Sequence, residues 1–306
     1  MKKNKLKAGF IQHINKGSRE DNLHYIDQQI AHLAQQGTQL VVLQELHNSA
    51  YFCQQEDVVC FDLAEAIHGP SLAFLAQSAR THQLVIVASI FEKRAEGIYH
   101  NTALVIEKDG SLAGFYRKMH IPDDPGFYEK FYFTPGDADE PGFRPINTSV
   151  GKLGVLVCWD QWYPEAARLM ALAGAEILIY PTAIGWNPSD PIDEQQRQQM
   201  AWQLVHQGHA VANHLPVIAC NRVGFEADPA QHSPNDQQGI LFWGHSFIAG
   251  PQGNILLQAD DQSESTLCVE IDLQKSAELR KIWPFFRDRR IDAYGKIVKR
   301  YIDTQD

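Results

Sequence analysis

Ten short apolar runs, separated by turn-rich or helix-length amphipathic segments, constrain this chain more than any other feature of its sequence. They are "KAGFIQH", "QLVVLQ", "LVIVAS", "YHNTALVIE", "KLGVLVC", "EILIYP", "PVIACN", "GHSFIAG", "GNILLQ" and "TLCVEID". Each is short, bounded by turn residues and mostly rich in β-branched or aromatic side chains, so each reads as a strand. The segments 18–36, 71–82, 164–173 and 193–213 read as helices between them. Strands interleaved with helices imply a layered α/β architecture. Asp109-Gly110 in "EKDGSLAGFYRK" and the stretch "GPQGNI" at 250–255 are hairpin signals, so the sheet is expected to be mixed.

No repeat, low-complexity tract or composition break divides the chain, and residues 1–306 are read as one domain. The stretches 45–70, 119–148 and 184–192 are loop-like and rich in aromatic residues, Pro and Asp. Loops of that length in a compact domain usually line sites. A formal net charge of −10 argues against nucleic acid as a partner and suits a cationic small molecule. Residues 280–300 reverse that sign, with Arg280, Lys281, Arg287, Arg289, Arg290, Lys296, Lys299 and Arg300 against Asp288 and Asp292. They read as a solvated or subunit-contacting face. Five scattered cysteines without a CxxC pair read as reduced thiols of a cytoplasmic protein. The N-terminal apolar stretch is too short for a signal peptide, and no run reaches the ~20 apolar residues of a membrane span, so no membrane partner is expected.

Cys158 ends the run "KLGVLV", and Pro164 then suits the first turn of a helix through "EAARLMALAGA". A cysteine at a strand-to-helix turn faces the positive end of the helix dipole, which favours thiolate. By itself this is weak evidence, since free cysteines are usually buried apolar side chains. A nucleophile needs a proton acceptor and a group that stabilises an oxyanion. Glu45 follows "QLVVLQ" and Lys118 follows "SLAGFYR", each where an apolar run ends. Singly, each is a charge marking a strand end; together with Cys158 they make a mechanistic set.

The segments "VVLQE" around Glu45, "YRKMHIPDDPGFYEKFYFTPGD" over 116–137 and "GVLVCWDQWYPEAAR" over 154–168 resemble the nitrilase, or carbon–nitrogen hydrolase, superfamily, in that family's order. The resemblance extends from Lys7 to about Ile291. It implies a four-layer α-β-β-α sandwich and a Glu-Lys-Cys triad without metal or cofactor. Glu45 would then be the general base, Lys118 the oxyanion-stabilising ammonium and Cys158 the nucleophile. The family's second glutamate falls on Glu129, and the Trp159 backbone N–H would be the other oxyanion donor. "QELHNSAYFCQ" departs from the pattern near His47 and Ala50, where a bulky apolar residue and a Pro are expected.

The branch most resembled acts on a small carbamoyl-amine, whose remote ammonium needs a carboxylate or an aromatic face. Asp123, Asp124, Asp160, Glu165, Asp190 and Glu194 are candidate carboxylates, with Trp159, Trp162 and Trp186 as candidate walls. Trp159, Asp160 and Trp186 are taken as the substrate-binding set. A carbamoyl acid as substrate would prefer Arg instead. A thiol protease would need a histidine such as His47, His120 or His245 beside the cysteine, and none lies in a protease motif. His206, His209 and His214 lack a completing zinc spacing and read as surface. A non-enzymatic scaffold would have no need of the three strand-end residues. The family also implies a homo-oligomer, assembled through helices near the site and through the tail at 280–306.

Overall fold

The computed structural model describes residues 5–229 and 238–303. In the first half, β1 (Lys5–Gln12), α1 (Arg19–Gln35), β2 (Leu40–Leu43), α2 (Pro70–His82), β3 (Val85–Ala95), β4 (Ile98–Ile106) and β5 (Leu112–Arg117) follow one another. The second half runs through α3 (Glu129–Tyr132), β6 (Ile146–Thr148), β7 (Gly151–Val155), α4 (Pro164–Leu172), β8 (Ile177–Pro181) and β9 (Gly185–Trp186). It continues with α5 (Ile192–Asn213), β10 (Val217–Cys220), β11 (Val223–Ala227), β12 (Gly239–Trp243), β13 (Phe247–Ala249), β14 (Ile255–Gln258), β15 (Ser265–Asp272) and α6 (Gln274–Ile282).

Among the described residues the strands form two six-stranded sheets, ordered β15-β1-β2-β3-β4-β5 and β14-β13-β10-β8-β7-β6, and a small sheet β11-β12-β9. Both large sheets are mixed. β1, β2 and β3 are parallel, as are β7, β8 and β10, and their other partners are antiparallel. The hairpins at Asp109-Gly110 and 250–255 are present, with Gly110 at φ 82° and Gly253 at φ 80° in the region glycine enters freely.

The apolar runs of the central strands are continuous because those strands are buried on both faces. In β2, Leu40 and Val42 belong to the core that includes Leu153, Val155, Ile177 and Ile179 of the second sheet. Val41 and Leu43 turn the other way and pack with Leu23, Ile26, Ile30 and Leu33 of α1 and Leu72 and Leu75 of α2. β3 and β4 alternate alike, with Val85, Val87, Ala103 and Val105 inward and Ile86, Ala88, Leu104 and Ile106 under the helices. Ala166, Ala167 and Met170 of α4 and Trp202 and Ala210 of α5 cover the second sheet. The result is a four-layer α-β-β-α sandwich.

Local signals explain the helix limits. Ser18 caps α1 by accepting the Asp21 N–H at 3.0 Å, and Pro70 and Pro164 sit in the first turns of α2 and α4. α6, whose face is almost wholly exposed, was not expected from sequence. The five cysteines are free, and among the described residues no helix is long and apolar enough to cross a membrane.

One correction concerns the histidines. His206, His209 and His214 are buried, not on the surface. His206 Nδ1 bonds the Trp202 carbonyl at 2.7 Å and His209 Nε2 the Gln161 carbonyl at 2.7 Å. α5 buries Trp202, His206, His209, Ala210 and Asn213, while Met200 and Leu204 are exposed.

Candidate active site

The carboxyl ends of the parallel strands meet at one edge of the sandwich, the place where open α/β sheets gather ligand-binding loops. β2 runs on through Gln44 into Glu45, whose N–H donates to Thr182 O, just past β8, at 3.3 Å. β5 lies two antiparallel steps from β3, so its last residue, Arg117, delivers Lys118 to this same edge. Topology thus collects residues far apart in sequence.

Lys118 and Glu45 expose no surface, and Glu129 only 1%. Lys118 Nζ donates to Glu45 Oε1 at 2.8 Å and to Glu129 Oε2 at 2.6 Å. Burial alone would strip the proton from Lys118. The charges of Glu129 and Glu45 outweigh it and hold the ammonium well above the ordinary lysine range. Burial, reinforced by the Glu45 charge, pushes the Glu129 carboxyl up to about 7 even though Lys118 opposes the shift. The Tyr51 hydroxyl donates to Glu129 Oε1 at 2.8 Å. Glu45 Oε1 also accepts Asn101 Nδ2 at 2.6 Å, whereas its Oε2 makes no hydrogen bond among the described residues.

Cys158 opens a 3₁₀ turn, Cys158–Trp162, three residues after β7, and α4 starts only at Pro164. Its φ of 40° is a left-handed conformation that costs a non-glycine residue about 1–3 kcal/mol, so the surroundings must enforce it. Asp160 supplies that constraint. Its Oδ2 accepts the Val157 N–H at 2.9 Å and the Tyr116 hydroxyl at 2.8 Å, and its Oδ1 accepts the His120 N–H at 3.1 Å and Nδ1 at 2.6 Å. The His120 ring stacks on Tyr163 at 3.7 Å.

Burial, together with the Glu45 carboxylate, pushes the Cys158 thiol well above the ordinary range. The expected dipole-stabilised thiolate is therefore corrected to a resting thiol that needs a base. The 3₁₀ turn is too short to supply the full field of a helix. No histidine hydrogen-bonds Cys158 among the described residues; the Sγ lies 3.8 Å from Ala183 O. His47 is buried against Ser89 O at 2.9 Å, away from any protease-like pairing.

Of the expected ligand-contacting residues, Asp160 is wholly buried behind the turn with both oxygens taken by protein donors. Its position makes it a support for the turn and not a receiver of ammonium. Trp159 is half-buried and meets Trp162 edge to face at 6.4 Å. Trp186 is half-buried too, with its Nε1 donating to Gln195 O at 2.8 Å and its ring 5.5 Å from Trp243. Among the acidic candidates, Asp123 pairs with Lys130 at 3.9 Å and Glu194 with Arg197 at 2.7 Å. Asp124 and Glu165 are exposed and Asp190 is half-exposed.

Three supporting residues escaped the sequence reading. Besides Asn101 and Tyr51, Arg222 is buried between β10 and β11. Its Nη2 donates to the carbonyls of Leu46 at 2.5 Å, Ser49 at 2.9 Å and Glu45 at 3.3 Å, and its Nη1 pairs with Glu226 at 2.7 Å. It clamps the turn in which Leu46 takes φ 48°. The charge directly after the run "PVIACN" was the available signal, of the same kind that marked Glu45.

Residues 7–281 match the model of the carbon–nitrogen hydrolase family. The chain is 44% identical over 263 residues to an N-carbamoylputrescine amidase of Arabidopsis thaliana, spanning 86% of this chain and 85% of that protein. It is 40% identical over 297 residues to a citrullinase of Francisella tularensis, spanning 97% and 99% respectively. The crystal structure of a carbon–nitrogen hydrolase from Helicobacter pylori G27 superposes with a TM-score of 0.92 at 55% identity, covering 97% of this chain and 100% of that one.

Proposed function

The chain belongs to the carbon–nitrogen hydrolase family, and from that premise we propose that it hydrolyses N-carbamoylputrescine to putrescine, carbon dioxide and ammonia. The observation that carries the chemistry is the buried ammonium of Lys118 between Glu45 and Glu129, beside a thiol at a strained turn. The substrate rests on the names of the plant relatives, and the acidity of the chain suits a cationic amine.

In this mechanism Glu45 Oε2 takes the Cys158 proton as Sγ bonds to the carbamoyl carbon. The oxyanion is met by Lys118 and the Trp159 N–H. Collapse breaks a C–N bond, and Glu45 returns the proton to the departing nitrogen. Glu45 then removes a proton from water, which attacks the thioester-like adduct and frees the thiol. One water is consumed per carbamoyl group, giving one ammonia, one carbon dioxide and one amine. Glu129 and Tyr51 hold Lys118 in place, and Trp159 and Trp186 offer aromatic faces near the site, where a remote ammonium would sit.

Citrulline is the second reading, favoured by the Francisella tularensis relative matched along nearly the whole chain. Both compounds present the same carbamoyl-amine head and differ at the far end, where citrulline adds a carboxylate. Ammonia release from each, compared with Cys158→Ala as the inactive control, decides between them. A higher kcat/KM for citrulline, or for a carbamoyl acid, would refute the putrescine reading.

The exposed apolar residues of the C-terminal segment and of α5 support self-association of this enzyme, with 280–303 as part of the contact. The last three residues of the tail lie outside the described residues.

A further inference from the structure

We propose that Asn101 is a positioning residue for this reaction, deciding which oxygen of Glu45 is left to move protons. The inference rests on the role given above to Glu45. Asn101 lies in β4 and is wholly buried. Its Nδ2 donates to Glu45 Oε1 at 2.6 Å, and its Oδ1 accepts the Ser89 hydroxyl at 2.9 Å. Ser89 Oγ itself accepts the Leu46 N–H at 3.2 Å, so the one hydroxyl proton is left to point at Asn101. That fixes the amide with its NH₂ toward the carboxylate. The Asn101 backbone carbonyl also accepts the Lys118 backbone N–H at 2.9 Å, so one strand position ties down both the base and the main chain that carries the ammonium.

Lys118 cannot orient the carboxylate alone. An ammonium is a compact charge on a flexible stem and can sit against either oxygen or between the two. The planar, oriented amide of Asn101 breaks that symmetry by holding Oε1, which leaves Oε2 without a hydrogen bond among the described residues. Without Asn101 the carboxylate can rotate and give both oxygens to the ammonium, and the proton acceptor is lost while the aromatic residues proposed to receive the substrate are untouched.

The test is Asn101→Ala and Ser89→Ala in the full chain, assayed on N-carbamoylputrescine and citrulline. Asn101→Ala should lower kcat about 10²-fold while KM stays within about threefold, because the loss falls on the transition state and not on binding. Ser89→Ala, which keeps the amide but frees its orientation, should lower kcat by about 10-fold, again without moving KM. In a Glu45→Gln background, Asn101→Ala should add nothing. Normal kcat in Asn101→Ala, a loss confined to KM, or a further loss in the Glu45→Gln background overturns the inference. Should Asn101→Ala fail to fold, an unchanged kcat in Ser89→Ala overturns it instead. Turnover of citrulline alone refutes the putrescine reading while leaving Asn101 to be judged on citrulline, and turnover of neither compound overturns both.

Discussion

Lys118 Nζ and Glu45 Oε1 are 2.8 Å apart, although the two residues are 73 positions apart in the chain, and neither is exposed to solvent. Such a pair is expensive to desolvate and strongly destabilising to break. It therefore ties stability to the same groups that the proposed chemistry uses.

Lys118→Ala leaves Glu45 and Glu129 buried without their counter-charge. The variant should lose about 10²–10³ in kcat through the missing oxyanion donor. It should also lose about 3–5 kcal/mol of unfolding free energy in a denaturant titration. Wild-type kcat in a folded Lys118→Ala protein would exclude the lysine from the reaction.

Asp160→Asn replaces one of two carboxylate oxygens that each take two donors. Either the Val157 N–H or the His120 side is then left short of an acceptor, at about 1–3 kcal/mol. Cys158 should leave its φ of 40°, and kcat should fall with it. A crystal structure of the variant with the Cys158 turn unmoved would show that Asp160 does not hold it.

Stability should fall on acidification below the ordinary histidine range. Burial pushes His13, His47 and His206 down to about 3 in the folded chain, whereas the unfolded chain takes up their protons near the ordinary histidine value of 6.5. The unfolded state therefore binds more protons between about 3 and 6.5. The stabilisation is present above 6.5 and is lost progressively as the pH falls toward 3. Glu129, raised to about 7 from 4.5, acts in the opposite sense, since its contribution is full below 4.5 and is lost as the pH rises through 7. Three histidines outweigh one carboxyl, so urea midpoints should drop from pH 6.5 toward 4.5, and a folded His206→Leu variant should show a shallower drop. An unchanged slope in that variant would contradict the assignment.

Ile291, Ile297 and Val298 are each more than 60% exposed after α6, and Met200 and Leu204 on the outer face of α5 are more than 50% exposed. Large apolar side chains exposed in this number suit a surface that association would cover. The full chain should elute as an oligomer, and a chain ended at Ile282 should elute as a smaller species. A monomeric full-length protein would rule out the contact.

The runs of the central strands were legible because strands buried on both faces carry apolar side chains at nearly every position, whereas β14 and β15 are only partly buried. The short strands β9, β11 and β12 were not, because β11, for example, exposes alternate residues and its pattern "VGFEA" has no apolar run. The α5 histidines were read on the wrong side because the inner stripe of that helix is built from Trp202, His206, His209 and Asn213, while its apolar Met200 and Leu204 face outward. Hydropathy alone assigns the opposite face.

Sequence by itself determined the layered α/β class, the four main helices and the three strand-end residues, since burial and turn chemistry act over a few neighbouring positions. Only the tertiary structure decided how those ends serve one another. Glu45 and Asn101 are 56 residues apart and Tyr51 and Glu129 are 78 apart, and strand order, not local preference, brings them within hydrogen-bond reach. The same long-range packing keeps Cys158 a thiol by burying it beside the Glu45 carboxylate, a condition that no turn signal in "GVLVCWDQWYPE" contains.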